Sequence, residues 1–148
     1  MKAVIQRVFS ASVTVDSKEV GSIGRGLLVL LGVAKEDVST DLDYLVKKTI
    51  GLRIFKDENV NMNLSIKDVG GEALVVSQFT LCADTKKGRR PSFINAAPPE
   101  IAESIYQQYC KKLREENISV QMGQFGAMMA VKLINDGPVT IVLNSREE

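Results

Sequence analysis

A chain of 148 residues, 45% hydrophobic and 25% charged, has the balance of an ordinary soluble protein with enough length for one domain and a real core. With 19 basic against 18 acidic residues the net charge is +1, so no chain-wide field marks a nucleic-acid binder and any RNA contact has to come from a local patch. The absence of histidine removes the commonest general base and the commonest metal ligand, which excludes Ser-His-Asp and Cys-His centres.

Cys82 and Cys110 lie far apart and match no metal spacing. Free thiols in a reducing cytosol are expected, although the sequence alone leaves a disulfide open. The opening stretch Met1 to Arg7 lacks the apolar core of a signal peptide, and the longest apolar run, Gly26 to Ala34, is too short to span a membrane. A cytoplasmic protein without membrane contact is expected.

In chain order, Ala3 to Val8 and Ser10 to Val15 read as two strands, the second with clean alternation. Asp16-Ser17-Lys18 supplies turn chemistry, and Glu19 to Ile23 returns as the hairpin partner. Leu27 to Val33 reads as a central strand buried on both faces. Ser39 or Thr40 caps a helix whose inner face is Leu42, Leu45, Val46 and Thr49, with Gly51 as its stop. Arg53 to Phe55 gives a short strand, and Lys56 to Gly71 a long polar loop anchored by Met62 and Leu64. Ala73 to Val76 is a core strand. Pro98-Pro99 opens a second helix with the stripe Ile101, Ile105, Tyr109 and Leu113, which makes Cys110 a buried thiol. Ile118 to Met122 is a strand; Met128 to Ile134 and Val139 to Leu143 are two more, joined by a turn. Many strands and two helices without regular βαβ alternation predict an α+β domain. Its sheet should be mostly antiparallel, strongly curved and barrel-like, with two main α-helices.

Three stretches carry chemistry. Ser77-Gln78-Phe79-Thr80-Leu81 stands where the core strand turns polar, and reads either as a plain strand end or as the wall of a site. If the strand stays extended, Ser77 and Phe79 face one way, Gln78 and Thr80 the other. Lys86, Lys87, Arg89 and Arg90 put four positive charges in five residues, either a solvated loop or a clamp for RNA phosphates. Asn135-Asp136-Gly137-Pro138 has turn composition, read as a hairpin end with a trans Gly-Pro bond by default.

Taken together, Ser77 to Leu81 and Asn135 to Thr140 resemble the D-aminoacyl-tRNA deacylase family. The likeness extends over essentially the whole chain, through Met1 to Val8, Gly88-Arg89-Arg90-Pro91-Ser92-Phe93 and Gly123 to Met129. It implies one domain over residues 1–148 that hydrolyses the ester joining a D-amino acid, or glycine, to the terminal adenosine of tRNA, a proofreading step of translation. It also implies a homodimer with sites at the subunit interface, no cofactor and no metal. Ser77, Gln78, Phe79 and Thr80 would form the catalytic pocket, and Met129 its wall. Gly137 and Pro138, joined by a cis bond and inserted from the other subunit, would form the chirality filter.

Thr80 is the obvious nucleophile among the side chains, yet the sequence names no base for it. Backbone N–H groups near Gln78, Phe79 and Thr80 can instead stabilise an oxyanion, with water as attacker and the substrate's 2′-hydroxyl assisting. Two other classes fit the residues: a non-catalytic RNA-binding module working through the basic loop, and a Thr80-nucleophile hydrolase of small esters.

Overall fold

The computed structural model describes residues 1–146. In chain order the elements are β1 (Lys2–Val15), β2 (Lys18–Ile23), β3 (Gly26–Gly32), α1 (Ser39–Gly51), β4 (Phe55–Lys56), β5 (Met62–Leu64), β6 (Glu72–Ser77), a 3₁₀ turn (Phe79–Cys82), α2 (Pro99–Glu115), β7 (Ser119–Met122) and β8 (Ala130–Asn144).

The two expected N-terminal strands are one. β1 runs 14 residues, and a bulge at Phe9 swaps the side-chain alternation partway along it. Before the bulge Ala3 and Ile5 face the larger core cluster; beyond it Ala11, Val13 and Val15, with Val8, face a smaller one. A single strand thus serves both halves of the core. Asp16 and Ser17 turn the chain with φ of 49° and 63°, and β2 returns antiparallel along the end of β1.

β3 pairs antiparallel with the first half of β1, and β8 covers the opposite edge of β1. The next two steps are parallel, β3 to β6 and β6 to β7. The sheet is therefore mixed, a refinement of the expected mostly antiparallel one. The cause is connectivity: parallel neighbours need a long crossover, and α1 and α2 sit in those two crossovers. Curvature brings β2 round to β7, so that a Cβ at Gly21 would lie 2.7 Å from the Met122 carbonyl. The result is a nearly closed barrel in an α+β fold.

Both helices cover the larger cluster. α1 buries Leu42, Leu45, Val46 and Thr49, as its spacing predicts. Its start is secured by the Asp41 carboxylate, which accepts the Val38 N–H at 2.9 Å. On α2 the buried face is Ala102, Tyr106, Tyr109, Cys110 and Leu113, while Ile101 is half exposed. The buried face is rotated from the expected stripe, because successive steps of four residues drift by about 40° each around a helix of 3.6 residues per turn. Tyr109 OH lies 2.7 Å from Thr49 Oγ1, and Tyr106 OH donates to the Val75 carbonyl at 2.8 Å, so each buried hydroxyl has a partner. Burial pushes the Cys110 thiol up to about 12, so it stays protonated and inert. In the 56–71 region the buried anchor is Ile66, not Met62, which is exposed, or Leu64, which is only partly covered. No helix among the described residues is long and apolar enough to cross a membrane.

The largest departure from expectation is β8. The Asn135 to Pro138 segment does not end a hairpin. Both flanks pair with the same strand: Thr140 opposite Gln6 and Asn135 opposite Val8, so the residues between them loop out as a wide bulge. Arg7 stands in the gap with 2% of its surface exposed. Its Nε donates to the Asp136 carbonyl at 3.2 Å, its Nη2 to Asp136 Oδ1 at 3.3 Å, and its Nη1 to the Ile54 carbonyl. Asn135 Nδ2 donates to the carbonyls of Arg7 and Val139 at 2.9 and 3.0 Å. Gly137 has φ +136°, and a Cβ there would sit 2.9 Å from the Val139 nitrogen and 3.2 Å from Arg7 Nη2. The Gly137–Pro138 peptide is cis.

Two stability measurements follow from this geometry. A Cβ at Gly26 would lie 1.8 Å from the Glu72 carbonyl oxygen, inside the β3–β6 pairing. Gly26→Ala should lose about 3 kcal/mol or more in a denaturant titration, since backbone on both sides cannot yield. Arg7→Met keeps the length of the stem but leaves the Ile54 carbonyl and the Asp136 carboxylate without their donor. Asp136 is 17% exposed and recovers some hydration, so a cost of about 2–3 kcal/mol is expected, short of that of a fully buried broken pair. Wild-type stability in Arg7→Met would remove the guanidinium from its bracing role.

Candidate active site

The parallel pair β3–β6 ends where the site begins. Leu31 pairs with Ser77, and the Gln78 N–H still donates to the Leu31 carbonyl at 2.8 Å. The chain then leaves the sheet and winds into the 3₁₀ turn, closed by Leu81 N–H to the Gln78 carbonyl at 3.2 Å and Ala83 N–H to the Thr80 carbonyl at 3.1 Å. The alternation expected for an extended strand therefore stops at Ser77. The turn lies hard against β3, and Gly32 makes that possible: a Cβ there would be 2.9 Å from Leu81 Cβ and 3.0 Å from the Gln78 carbonyl oxygen.

This bend gathers the four residues that sequence reasoning singled out. Ser77 and Gln78 are half-buried, while Phe79 and Thr80 are exposed. Gln78 Nε2 donates to Thr80 Oγ1, so the amide and the hydroxyl form one unit. As the first residues of a 3₁₀ turn, Phe79 and Thr80 have N–H groups with no intrahelical partner, and neither finds another acceptor among the described residues. Two adjacent main-chain donors beside a hydroxyl and an amide can hold a developing oxyanion. Cys82 closes the turn, but burial and, after it, the charge of Asp37 push its thiol up, away from a nucleophilic thiolate. Among the described residues no group of His, Cys, Asp and Glu is placed to hold a metal ion.

Phe79 is the exposed aromatic of the site, and its ring meets the edge of Phe93 with centroids 5.0 Å apart at 71°. Phe93 follows directly on a small loop. Asp84 and Ser92 exchange backbone hydrogen bonds at 2.8 and 2.9 Å, pinching residues 85–91 into a hairpin-like excursion. Lys86, Lys87, Arg89 and Arg90 ride on it, all exposed and none paired with a carboxylate among the described residues. The basic loop and the polar strand end, separate in sequence, are thus neighbours through the two phenylalanines.

Met129 is partly buried, its Sδ 2.8 Å from where a Cβ at Gly123 would stand, and that same point lies 3.8 Å from Val76. It packs against the smaller core cluster that holds Val76. Gly137 and Pro138 are exposed on the bulge of β8, and no hydrogen bond among the described residues joins that bulge to the 77–80 turn. Within one subunit the two motifs are not brought together. Sequence reasoning missed Phe93 as a partner of Phe79 and Arg7 as the brace of the bulge. An arginine at an inward position of an otherwise apolar strand was the available signal for Arg7.

Known proteins resemble this chain along nearly its whole length. The family model described as D-Tyr-tRNA(Tyr) deacylase matches residues 4–144. A D-aminoacyl-tRNA deacylase of Clostridioides difficile (strain 630) is 57% identical over 145 residues, covering 98% of this chain and 97% of the relative. One of Desulfatibacillum aliphaticivorans is 58% identical over 146 residues, covering 99% of this chain and 100% of the relative. Among solved structures, a c-Myc DNA unwinding element binding protein superposes with a TM-score of 0.93 at 44% identity, over 99% of this chain and 100% of that one. A probable eukaryotic D-amino acid tRNA deacylase shares the fold with a TM-score of 0.78 at 18% identity, over 96% of this chain and 97% of that one. With a family model matched from one end of the sheet to the other and relatives well above half identical along their whole length, the chain belongs to the D-Tyr-tRNA(Tyr) deacylase family.

Proposed function

We propose that this family member, a hydrolase of aminoacyl-tRNA, releases D-amino acids and glycine from tRNA and rejects L-aminoacyl esters, acting in the cytoplasm as a proofreading step of translation. The observation that carries the site assignment is the 3₁₀ turn, with two free N–H donors, the Gln78–Thr80 pair and the exposed Phe79 on one short segment. Phe79, backed by Phe93, stacks the terminal adenine. Ser77 and Gln78 position the ribose and ester. Water attacks the ester carbonyl, the oxyanion forms against the Phe79 and Thr80 N–H groups, and its collapse expels the 3′-oxygen, which takes up the proton water gave up. The substrate's 2′-hydroxyl assists that proton transfer. Lys86, Lys87, Arg89 and Arg90 hold acceptor-end phosphates. Residues 1–148 act as one such domain, without metal or cofactor.

Gly137 and Pro138 serve as the chirality filter across a homodimer interface. Support comes from β8, a 15-residue strand that pairs among the described residues with β1 alone, whose exposed residues include Ile134, Pro138 and Val142 beside Lys132 and Thr140. A long apolar edge invites a covering partner, and a second copy would carry each bulge to the other subunit's 77–80 turn. There the Gly137 and Pro138 carbonyls accept the substrate's ammonium and leave no room for an L side chain. A second reading, nucleic-acid binding without turnover, draws on the basic loop and on the DNA-binding description of the 44% identical structural relative.

Release of tyrosine from D-Tyr-tRNA and L-Tyr-tRNA, with and without chelator, separates these readings. The D ester should be cleaved at least about a hundredfold faster, unaffected by chelator. A pure binder retards the tRNA and releases nothing. Mixing tests the interface: Gly137→Ala and Gln78→Ala are each expected to be inactive alone. After subunit exchange, half the dimers are mixed and hold one intact site, so activity should return to about a quarter of wild type. No recovery, with exchange verified, would place each site within one subunit.

A further inference from the structure

Beside Cys82, the last residue of the 3₁₀ turn, lies a cavity of about 300 Å³, lined among others by Lys2, Asp84, Lys86 and Asn95. That is the lower end of the size range of small-molecule sites. It shares a wall with the turn: Cys82 closes the turn that Phe79 opens, and Gly32, which backs both Leu81 and Gln78, is the sheet partner of Lys2. From Phe79 to Cys82 the 3₁₀ rise is about 6 Å, on the order of one nucleotide step in an extended single strand.

We propose, on the footing of the deacylase reading, that this cavity is a subsite for the cytosine that precedes the terminal adenosine of tRNA. The polar lining matches that base. Asp84 Oδ1 accepts the Lys86 N–H at 2.9 Å, and Oδ2 has no partner among the described residues. A free carboxylate oxygen accepts from the exocyclic N4 amino group of cytosine. The side-chain nitrogens of Lys2 and Asn95 make no hydrogen bond among the described residues either; Asn95 supplies a donor for N3 and Lys2 one for O2, which leaves Lys86 to the phosphates. Lys2 and Lys86 alone would suit a phosphate; the Asp84 carboxylate between them favours instead a base that brings an amino group. Uracil fits poorly, because it turns its O4 acceptor toward the carboxylate. Cytosine at this position is common to all tRNAs, so such a subsite adds affinity and registers the ester over the turn without restricting which tRNA is served.

The test uses the full-length protein and uncharged RNA hairpins carrying an acceptor stem and ending in CCA or CUA, with affinity read by fluorescence anisotropy. Wild type should prefer CCA roughly tenfold, the size of one good base contact. Asp84→Asn keeps the oxygen that accepts the Lys86 N–H but offers an amide donor in place of the second oxygen. It should lower affinity for CCA and leave CUA equal or preferred. Equal affinity of wild type for both ends overturns the subsite, as does an Asp84→Asn loss of the same size on both. Asn95→Ala, a second variant outside the Asp84–Ser92 bridge, removes the donor to N3, which accepts in cytosine but not in uracil, and should weaken CCA by a few-fold more than CUA; an equal effect on both counts against the assignment. Tyrosine release by the wild type is read separately: a base preference without D-Tyr-tRNA turnover upholds the subsite and discards the esterase reading, whereas turnover without base preference does the reverse.

Discussion

A guanidinium almost sealed from water organises the most irregular part of this molecule. Arg7 occupies an inward position on β1, where its neighbours Ala3 and Ile5 are wholly apolar and fully buried. A charge in that setting is tolerated only if its donors are used and a counter-charge is near. The Ile54 carbonyl, the Asp136 carbonyl and the Asp136 carboxylate meet that demand from two distant parts of the chain. Satisfying it pulls residues 136–139 out of the β8 ladder and holds them there. The rest of the β1–β8 pairing resumes on either side, so the fold contains a fixed protrusion on an otherwise regular edge.

The second organising contact is steric. Parallel strands β3 and β6 end side by side, and the chain after β6 folds down onto β3 because Gly32 presents no side chain. Any larger residue would push the 3₁₀ turn away from β3 and lift the whole group off its support. Below the turn, Tyr106 of α2 hydrogen-bonds the Val75 carbonyl, tying the strand that carries the site to the helix layer. The exposed donors and the exposed phenylalanine therefore rest on a rigid base, which suits a site that works by placement rather than by a reactive side chain.

Much of this was legible in the residues. The helix α1, its inner face, the buried Cys110 and the start of α2 at Pro99 follow from period and proline chemistry, although α1 is capped by Val38 and takes the expected caps Ser39 and Thr40 into its first turn. The four residues of the 77–80 turn were visible as a polar exit from a core strand. Their conformation was not, because the reason for the bend is Gly32, 45 residues earlier and not contiguous in sequence. The bulge read as a hairpin for a related reason: Asn-Asp-Gly-Pro has the composition of a reversal, and only the pairing of both flanks with β1 shows otherwise. The rotated stripe on α2 reflects the drift of a spacing by fours around a helix of 3.6 residues per turn. The basic loop was visible as charge, but its attachment beside Phe79 depends on the Asp84–Ser92 bridge and the stacking of Phe93.

That bridge has a consequence for how such a protein can change over evolutionary time. Residues 85–91 hang from the body by a single pair of backbone hydrogen bonds and bury little, so their side chains can be exchanged with almost no penalty to the fold. The Arg7-braced protrusion has no such latitude, since its glycine and its asparagine are each hemmed in by backbone. The charge that the loop presents can drift from lineage to lineage as surroundings such as salt or temperature differ. The shape of the protrusion stays locked, and the two properties are inherited as separable traits.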